Sequence, residues 1–129
     1  MDLLAQQRVL FKEECFQIIG ACMAVHSELG CGFLEAVYQE ALEIELKKKS
    51  IPYNRKEKLN IYYKDHLLHK QYIADFICHD EIILELKAVK QMEDIHHAQI
   101  LNYLKATNKK LGLLINFDAN SLQYKRFVL

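Results

Sequence analysis

Asp75, Glu85 and Lys87 are the residues of this chain whose types and spacing could do chemistry. Glu85 and Lys87 stand two apart in the apolar run Ile82-Ile83-Leu84-Glu85-Leu86-Lys87-Ala88. On a strand that spacing puts both on one face and Ile82, Leu84, Leu86 and Ala88 on the other. Asp75 precedes them across the polar stretch His79-Asp80-Glu81. If these three residues are the turn, a common hairpin length, Asp75 faces Glu85, Phe76 faces Leu84, Cys78 faces Ile82 and Ala74 faces Leu86. One face is then wholly apolar. A two-residue turn would set Asp75 against Leu84, and a slip of one residue would send each side chain of a strand to the wrong face. Two carboxylates aimed at one place suit Mg²⁺, which takes one or two protein carboxylates and fills its octahedron with water and substrate phosphate. Lys87 on the same face could hold the attacking water and offset charge growing on a phosphoryl group, while the metal lowers the pKa of water.

The chain contains its own control for this spacing. Glu45-Leu46-Lys47 repeats the Glu85-Leu86-Lys87 tripeptide. It falls at the lysine-rich end of an expected helix with no acid-bearing strand before it, and reads as a solvated face with Leu46 on the core. Tripeptide identity therefore carries no weight. The later copy differs in context: a buried strand, Asp75 in register, and charges that are costly inside a sheet without a partner or metal. On spacing alone, a structural ion network explains the three residues as well as a site does.

The elements that must position these residues follow from periodicity. Val9, Phe16, Ile19, Met23 and Val25 recur at helical spacing and stop at Leu29-Gly30-Cys31-Gly32, a glycine-rich helix end. A second helix is expected from about Leu34 to Lys49, with Val37, Ala41, Leu42, Ile44 and Leu46 as core and Ser50-Ile51-Pro52 as its stop. Residues 57–63 alternate as a strand, followed by a Lys64-Asp65-His66 turn and by strands over 68–78 and 81–89. A third helix is read over Glu93–Thr107, with Asp94 suiting the dipole and Ile95, Ala98, Leu101 and Leu104 or Ile100 as its stripe. Lys109–Phe117 reads as a fully buried strand and Gln123–Leu129 as an edge strand. The order is ααβββαββ. A strand, helix and strand over 81–117 require a parallel pair, so the sheet is expected to be mixed and covered on both faces.

Composition narrows the setting. A chain of 129 residues, 51% hydrophobic with four Gly and one Pro, describes one globular domain, read over residues 1–129. Lys plus Arg equals Asp plus Glu at 17 each, so no global field draws in nucleic acid. Binding must use local patches. Lys47, Lys48, Lys49, Arg55, Lys56 and Lys58 form one cluster, and Lys105, Lys109, Lys110, Lys125 and Arg126 a looser one; solvated surface accounts for most of them. Cys15, Cys22, Cys31 and Cys78 lack C-x-x-C spacing, and there is neither a cleavable signal nor an apolar stretch of about 20 residues. The expectation is a cytoplasmic protein with buried, reduced thiols and no membrane span. A zinc site built with His96 and His97 is disfavoured because adjacent helical residues diverge by about 100°.

The stretch Gly32-Phe33-Leu34-Glu35-Ala36-Val37-Tyr38 resembles the G-x-x-E-x-x-Y motif of the GxxExxY proteins, a group within the PD-(D/E)xK nuclease-like superfamily. Asp75, Glu85-x-Lys87 and Gln99-Ile100-Leu101-Asn102-Tyr103 match the rest of that pattern in order, from about Ile18 to Val128. Ala74-Asp75 stands where the family name has Pro-Asp. The resemblance implies a restriction-endonuclease-like core of the α/β (α+β mixed) class, with about four to five strands flanked by helices. It also implies that Asp75 and Glu85 bind Mg²⁺, or Mn²⁺ in its place, that Glu35 completes the metal or water shell, and that Lys87 is the motif lysine. Gln99 and Tyr103 match a glutamine and tyrosine of the RecB-like branch, and their spacing shares a helix face. Taken alone, Glu35 and Tyr38 would be a surface acid and a half-buried aromatic, and Gln99 and Tyr103 an amphipathic boundary. The function implied is Mg²⁺-dependent hydrolysis of DNA, in preference to RNA. The alternative is a non-catalytic nuclease-fold module, as a homodimer or in a DNA repair or defence complex, which the neutral charge and small size favour.

Overall fold

The computed structural model describes residues 11–129; Val9, placed above on the first helical stripe, lies outside them. Helix α1, Lys12–Leu29, ends where Gly30 adopts φ 68° and its N–H bonds the His26 carbonyl. That left-handed residue costs a glycine little. Helix α2 runs Glu35–Lys48. Strands β1 (Tyr53–Tyr63), β2 (His66–Cys78) and β3 (Ile82–Lys87) form a meander, α3 (Asp94–Thr107) crosses over, and β4 (Leu111–Asn116) and β5 (Gln123–Val128) complete the sheet. The strand order is β1-β2-β3-β4-β5, with β3 and β4 parallel and the other neighbours antiparallel. This is the expected ααβββαββ order and a mixed α/β sheet flanked by helices, consistent with a restriction-endonuclease-like fold.

Two apolar layers hold the sheet. On one face α1 and α2 bring Ile18, Cys22, Tyr38, Leu42 and Leu46 against Phe76, Leu84, Leu86, Leu113 and Phe117. On the other, Ile100 and Leu104 of α3 meet Tyr72, Ala74, Ile77, Ile83 and Leu114. All six residues of β4 are buried, as the uninterrupted apolar run requires of a strand covered on both sides.

Several helix faces are rotated from the expected ones. In α1 the inward residues are Cys15, Ile18, Ala21, Cys22 and Val25, while Phe16 is 74% exposed and Met23 also faces outward. Both sets recur at helical spacing, so periodicity could not choose between them. Ile44 of α2 and Ile95 and Ala98 of α3 are exposed as well. The residues of the disfavoured zinc alternative lie apart: Cys15, Cys22 and Cys78 pack in the layer under α1 and α2, and His96 and His97 belong to α3 across the sheet. Cys31 is exposed, contrary to the expectation that the thiols are buried. Among the described residues no helix is long and apolar enough to cross a membrane.

The β2–β3 hairpin has the three-residue turn expected of it. Phe76 pairs with Leu84, Ile77 with Ile83 and Cys78 with Ile82, and His79 and Asp80 take φ 53° and 61° to turn the chain. Beyond Phe76 the expectation fails in one respect. Ala74 does not share a face with Leu86: Ala74 lies in the layer beneath α3 and Leu86 in the layer beneath α1 and α2. The cause is a change of face in both strands of the outer hairpin. In β1, Tyr53 packs toward α1 and α2 but Leu59 and Ile61 toward α3. In β2, Phe76 and Cys78 face the first layer but Tyr72 and Ala74 the second. The β1–β2 register is continuous on both sides of the change, Arg55 with Phe76 and Glu57 with Ala74, and Lys56 between them has φ 54°. Asp75 is thus the residue at which β2 stops alternating regularly.

Candidate metal centre

Glu35 opens α2 at its first turn, where a carboxylate suits the positive end of the helix dipole. Its helix start is set by Tyr38. That side chain, wholly buried rather than half-buried, donates its hydroxyl to the Gly30 carbonyl at 2.7 Å and accepts the Phe33 N–H at 3.3 Å. Its ring stacks on Phe117 at 4.6 Å between centroids. The αα connection is therefore pinned to the sheet, and Gly32 within it takes φ 104° while donating its N–H to Asp118. One turn into α2, Gln39 donates to Glu35 Oε1 at 3.4 Å and to Asp75 Oδ1 at 3.2 Å. A helix residue thereby ties the motif glutamate to the acid of β2.

Side chains replace the backbone ladder where β2 and β3 part. The Leu86 N–H donates to Asp75 Oδ2 at 2.8 Å, and the Asp75 N–H donates to Glu85 Oε1 at 3.3 Å. Asp75 and Glu85 are therefore neighbours across the hairpin, as the register predicted, but joined through their carboxylates. The Tyr72 hydroxyl also donates to Glu85, and the Tyr72 ring stacks on Tyr103 of α3 with centroids 3.7 Å apart. A groove of about 460 Å³ opens here, walled by Glu85 and Lys87 on one side and by His96, Gln99 and Tyr103 on the other. Glu35, Asp75, Glu85 and Lys87 come together at the parting of the strands, and Gln99 and Tyr103 stand across the groove. The side chains are neither splayed apart nor sealed off.

Electrostatically the cluster is short of positive charge. Burial raises the Glu85 carboxyl to about 8, the charge of Asp75 adds to this, and Tyr72 and Lys87 pull the other way. Asp75 is raised by burial against the lowering effect of the Leu86 N–H and of Lys87. Glu35 is raised by burial and then by Asp75, with Lys87 and Gln39 opposing. Tyr72 is raised by burial and by Glu85. Desolvation and like charge act together here, a combination common at functional sites. Lys87 acts on all three acids through its charge, whereas Arg55 of β1 pairs with Glu43 of α2 at 3.2 Å.

The donor set suits a hard cation, because every candidate ligand is a carboxylate oxygen and burial disfavours the charged form of each acid in the absence of a positive partner. Among the described residues, no group of three or more His, Cys, Asp and Glu side chains converges as a ready metal cage. The expected Glu35–Asp75–Glu85 ligand set is thus not preformed. A site of one or two carboxylates is the form that Mg²⁺ accepts, and Asp75 with Glu85 supplies it.

Gln39 and Tyr72 were absent from the sequence expectation. Gln39 could have been found, since it follows Glu35 by four residues and shares its helix face. Tyr72 could not: three residues before Asp75, regular alternation sends it to the opposite face.

A core that positions two acids and a lysine at the mouth of a hairpin, between an αα layer and a crossover helix, is that of the restriction-endonuclease-like nucleases. Residues 12–127 match the model of the PD-(D/E)XK nuclease superfamily, and the chain belongs to that superfamily. It is also similar to a solved structure described as "Crystal structure of SSO0001", with a TM-score of 0.57 and 19% sequence identity over 95% of this chain and 61% of that one. The likeness is one of fold, and the chain spans less than two thirds of that structure's length. No curated protein matches it.

Proposed function

We propose that this protein is a Mg²⁺-dependent nuclease that hydrolyses phosphodiester bonds of DNA in preference to RNA. The observation that supports this most is Asp75 beside Glu85 where β2 and β3 part, with Glu35 tied to Asp75 through Gln39 and with Glu85 and Lys87 opening on the groove; all three acids are raised by burial, and Glu85 and Glu35 also by the charge of Asp75. Asp75 and Glu85 would hold the cation, with Glu35 near its water shell. The cation would polarise the phosphate and lower the pKa of a water. Lys87 neutralises charge on the phosphoryl oxygens, Gln39 orients Asp75 and Glu35, and Tyr72 holds Glu85 in place. Gln99 and Tyr103 form the opposite wall. Gly32, Glu35 and Tyr38 support the narrower GxxExxY grouping.

The test is cleavage of single-stranded, duplex and branched DNA and of RNA in Mg²⁺ or Mn²⁺, with calorimetry of Mn²⁺ binding alongside. Asp75→Asn and Lys87→Ala should each lower cutting by about a hundredfold or more, and Asp75→Asn should abolish the binding heat. A wild-type chain that neither binds Mn²⁺ at millimolar concentration nor cuts any substrate overturns the proposal. That outcome would favour the second reading, a non-catalytic module that assembles with itself or within a repair or defence complex. The lack of a preformed three-acid cage among the described residues and the neutral net charge speak for that reading.

A further inference from the structure

Past the change of face, the outer β1–β2 hairpin presents a surface that none of the described helices covers. Leu59, Ile61 and Tyr72 point to the α3 side. The residues between them point away from it: Lys58, Asn60 and Tyr62 on β1 with Ile73, Gln71 and Leu67 opposite on β2. Gln71 donates to Asn60 at 2.9 Å, which fixes the shared face. All six are exposed, with Tyr62 and Leu67 at 57% and Ile73 at 53%. The surface adjoins the site, because Gln71 and Ile73 also border the groove that holds Glu85 and Lys87. It is also uneven in charge. Lys56, Lys58, Lys64 and Lys70 stand against Glu57 and Asp65, in a chain balanced as a whole at 17 and 17, while Arg55 is paired with Glu43.

We propose that this hairpin face is a binding surface for a single-stranded stretch of nucleic acid, with Tyr62, Leu67 and Ile73 receiving bases and Lys58 and its basic neighbours receiving phosphates. The inference rests on the nuclease reading and adds the form of its substrate. Aromatic and apolar side chains gain from base faces only where the bases are unstacked, and a continuous duplex keeps those faces inside. Lysines supply the phosphate contacts that a neutral protein otherwise lacks. A strand lying on this face would reach the groove that holds Glu85 and Lys87 by way of Gln71 and Ile73.

Fluorescence anisotropy of a labelled single-stranded DNA oligonucleotide, measured in EDTA so that nothing is cut, tests the surface apart from catalysis. Tyr62→Ala should weaken binding about tenfold and Tyr62→Phe should restore it. Lys58→Ala should flatten the dependence of log K on log salt by about 0.7. Phe16→Ala, at a still more exposed apolar residue on α1, should leave binding unchanged, and Asp75→Asn should bind while failing to cut. The proposal is overturned if the wild type does not bind, if Tyr62→Ala and Lys58→Ala bind like wild type, or if a duplex of equal length binds as tightly with the same response to Tyr62→Ala. Light scattering that shows Tyr62→Ala dissociating a dimer also overturns it, in favour of a second copy of the chain. Cutting that persists when the hairpin variants bind normally would discard the surface and keep the nuclease reading.

Discussion

Glu85 governs how this site responds to pH. With its carboxyl raised by burial and by Asp75 to about 8, the folded chain keeps a proton that the unfolded chain gives up near the ordinary glutamate value. The contribution to stability is therefore fully present at the acid end, and is lost as pH rises through the window that ends near 8. The loss is on the order of a few kcal/mol. The metal-free protein should accordingly unfold at lower temperature near pH 9 than near pH 6, and Glu85→Gln should flatten the difference; an unchanged slope in that variant would refute this account. Added Mg²⁺ should restore stability at the alkaline end. Asp75, Glu85 and Lys87 were legible in the sequence because strand geometry fixes which residues share a face. The contribution of Tyr72 was not, because it depends on the strands parting and on Tyr103 arriving from a helix placed by long-range packing.

At the level of elements, the segment that follows Lys87 is held by Asn116 at the end of β4, directly opposite Lys87 in the parallel register. This wholly buried amide accepts the Val89 N–H at 3.0 Å, donates to the Val89 carbonyl at 2.8 Å and donates to Gln123 at 3.0 Å. Truncation leaves the part-buried N–H and carbonyl of Val89 without these partners. Asn116→Ala should therefore cost about 2 kcal/mol in denaturant unfolding, and it should weaken Mn²⁺ binding if the strand end carrying Lys87 loosens with it. A midpoint equal to that of wild type would sink this reading. Strand existence and order were readable because β4 is an apolar run as far as Ile115 and the hairpin turns are polar. The inward faces of α1 and α3 were not, because each helix carries more apolar residues than one face can bury, and the sheet decides which of them turn inward. Close packing settles α3 over β4: a Cβ at Gly112 would lie 2.8 Å from Ile100 Cδ1, so glycine there lets the helix carrying Gln99 and Tyr103 approach the sheet.

For the molecule as a whole, thiol chemistry gives a direct check on the layered core. Cys15, Cys22 and Cys78 are buried and Cys31 is exposed. Burial raises Cys78 to about 12 and raises Cys15 and Cys22 as well. Since the thiolate is the reactive form, a thiol reagent near neutral pH should label Cys31 promptly and the other three only on unfolding. Rapid labelling of a second cysteine in the native protein would contradict the packing under α1 and α2. The change of face at Lys56 and Asp75 has a consequence for how such a protein can vary. It separates the hairpin into a root bound into the core and an outer ladder whose pairs contribute nothing to the layer under α1 and α2. Residues could be added or removed there four at a time, two from each strand, with the parity of every other side chain preserved. Reach and preference for a partner can then drift by insertion and deletion while the acids at the root keep their places, a modularity that a regularly alternating hairpin would not have.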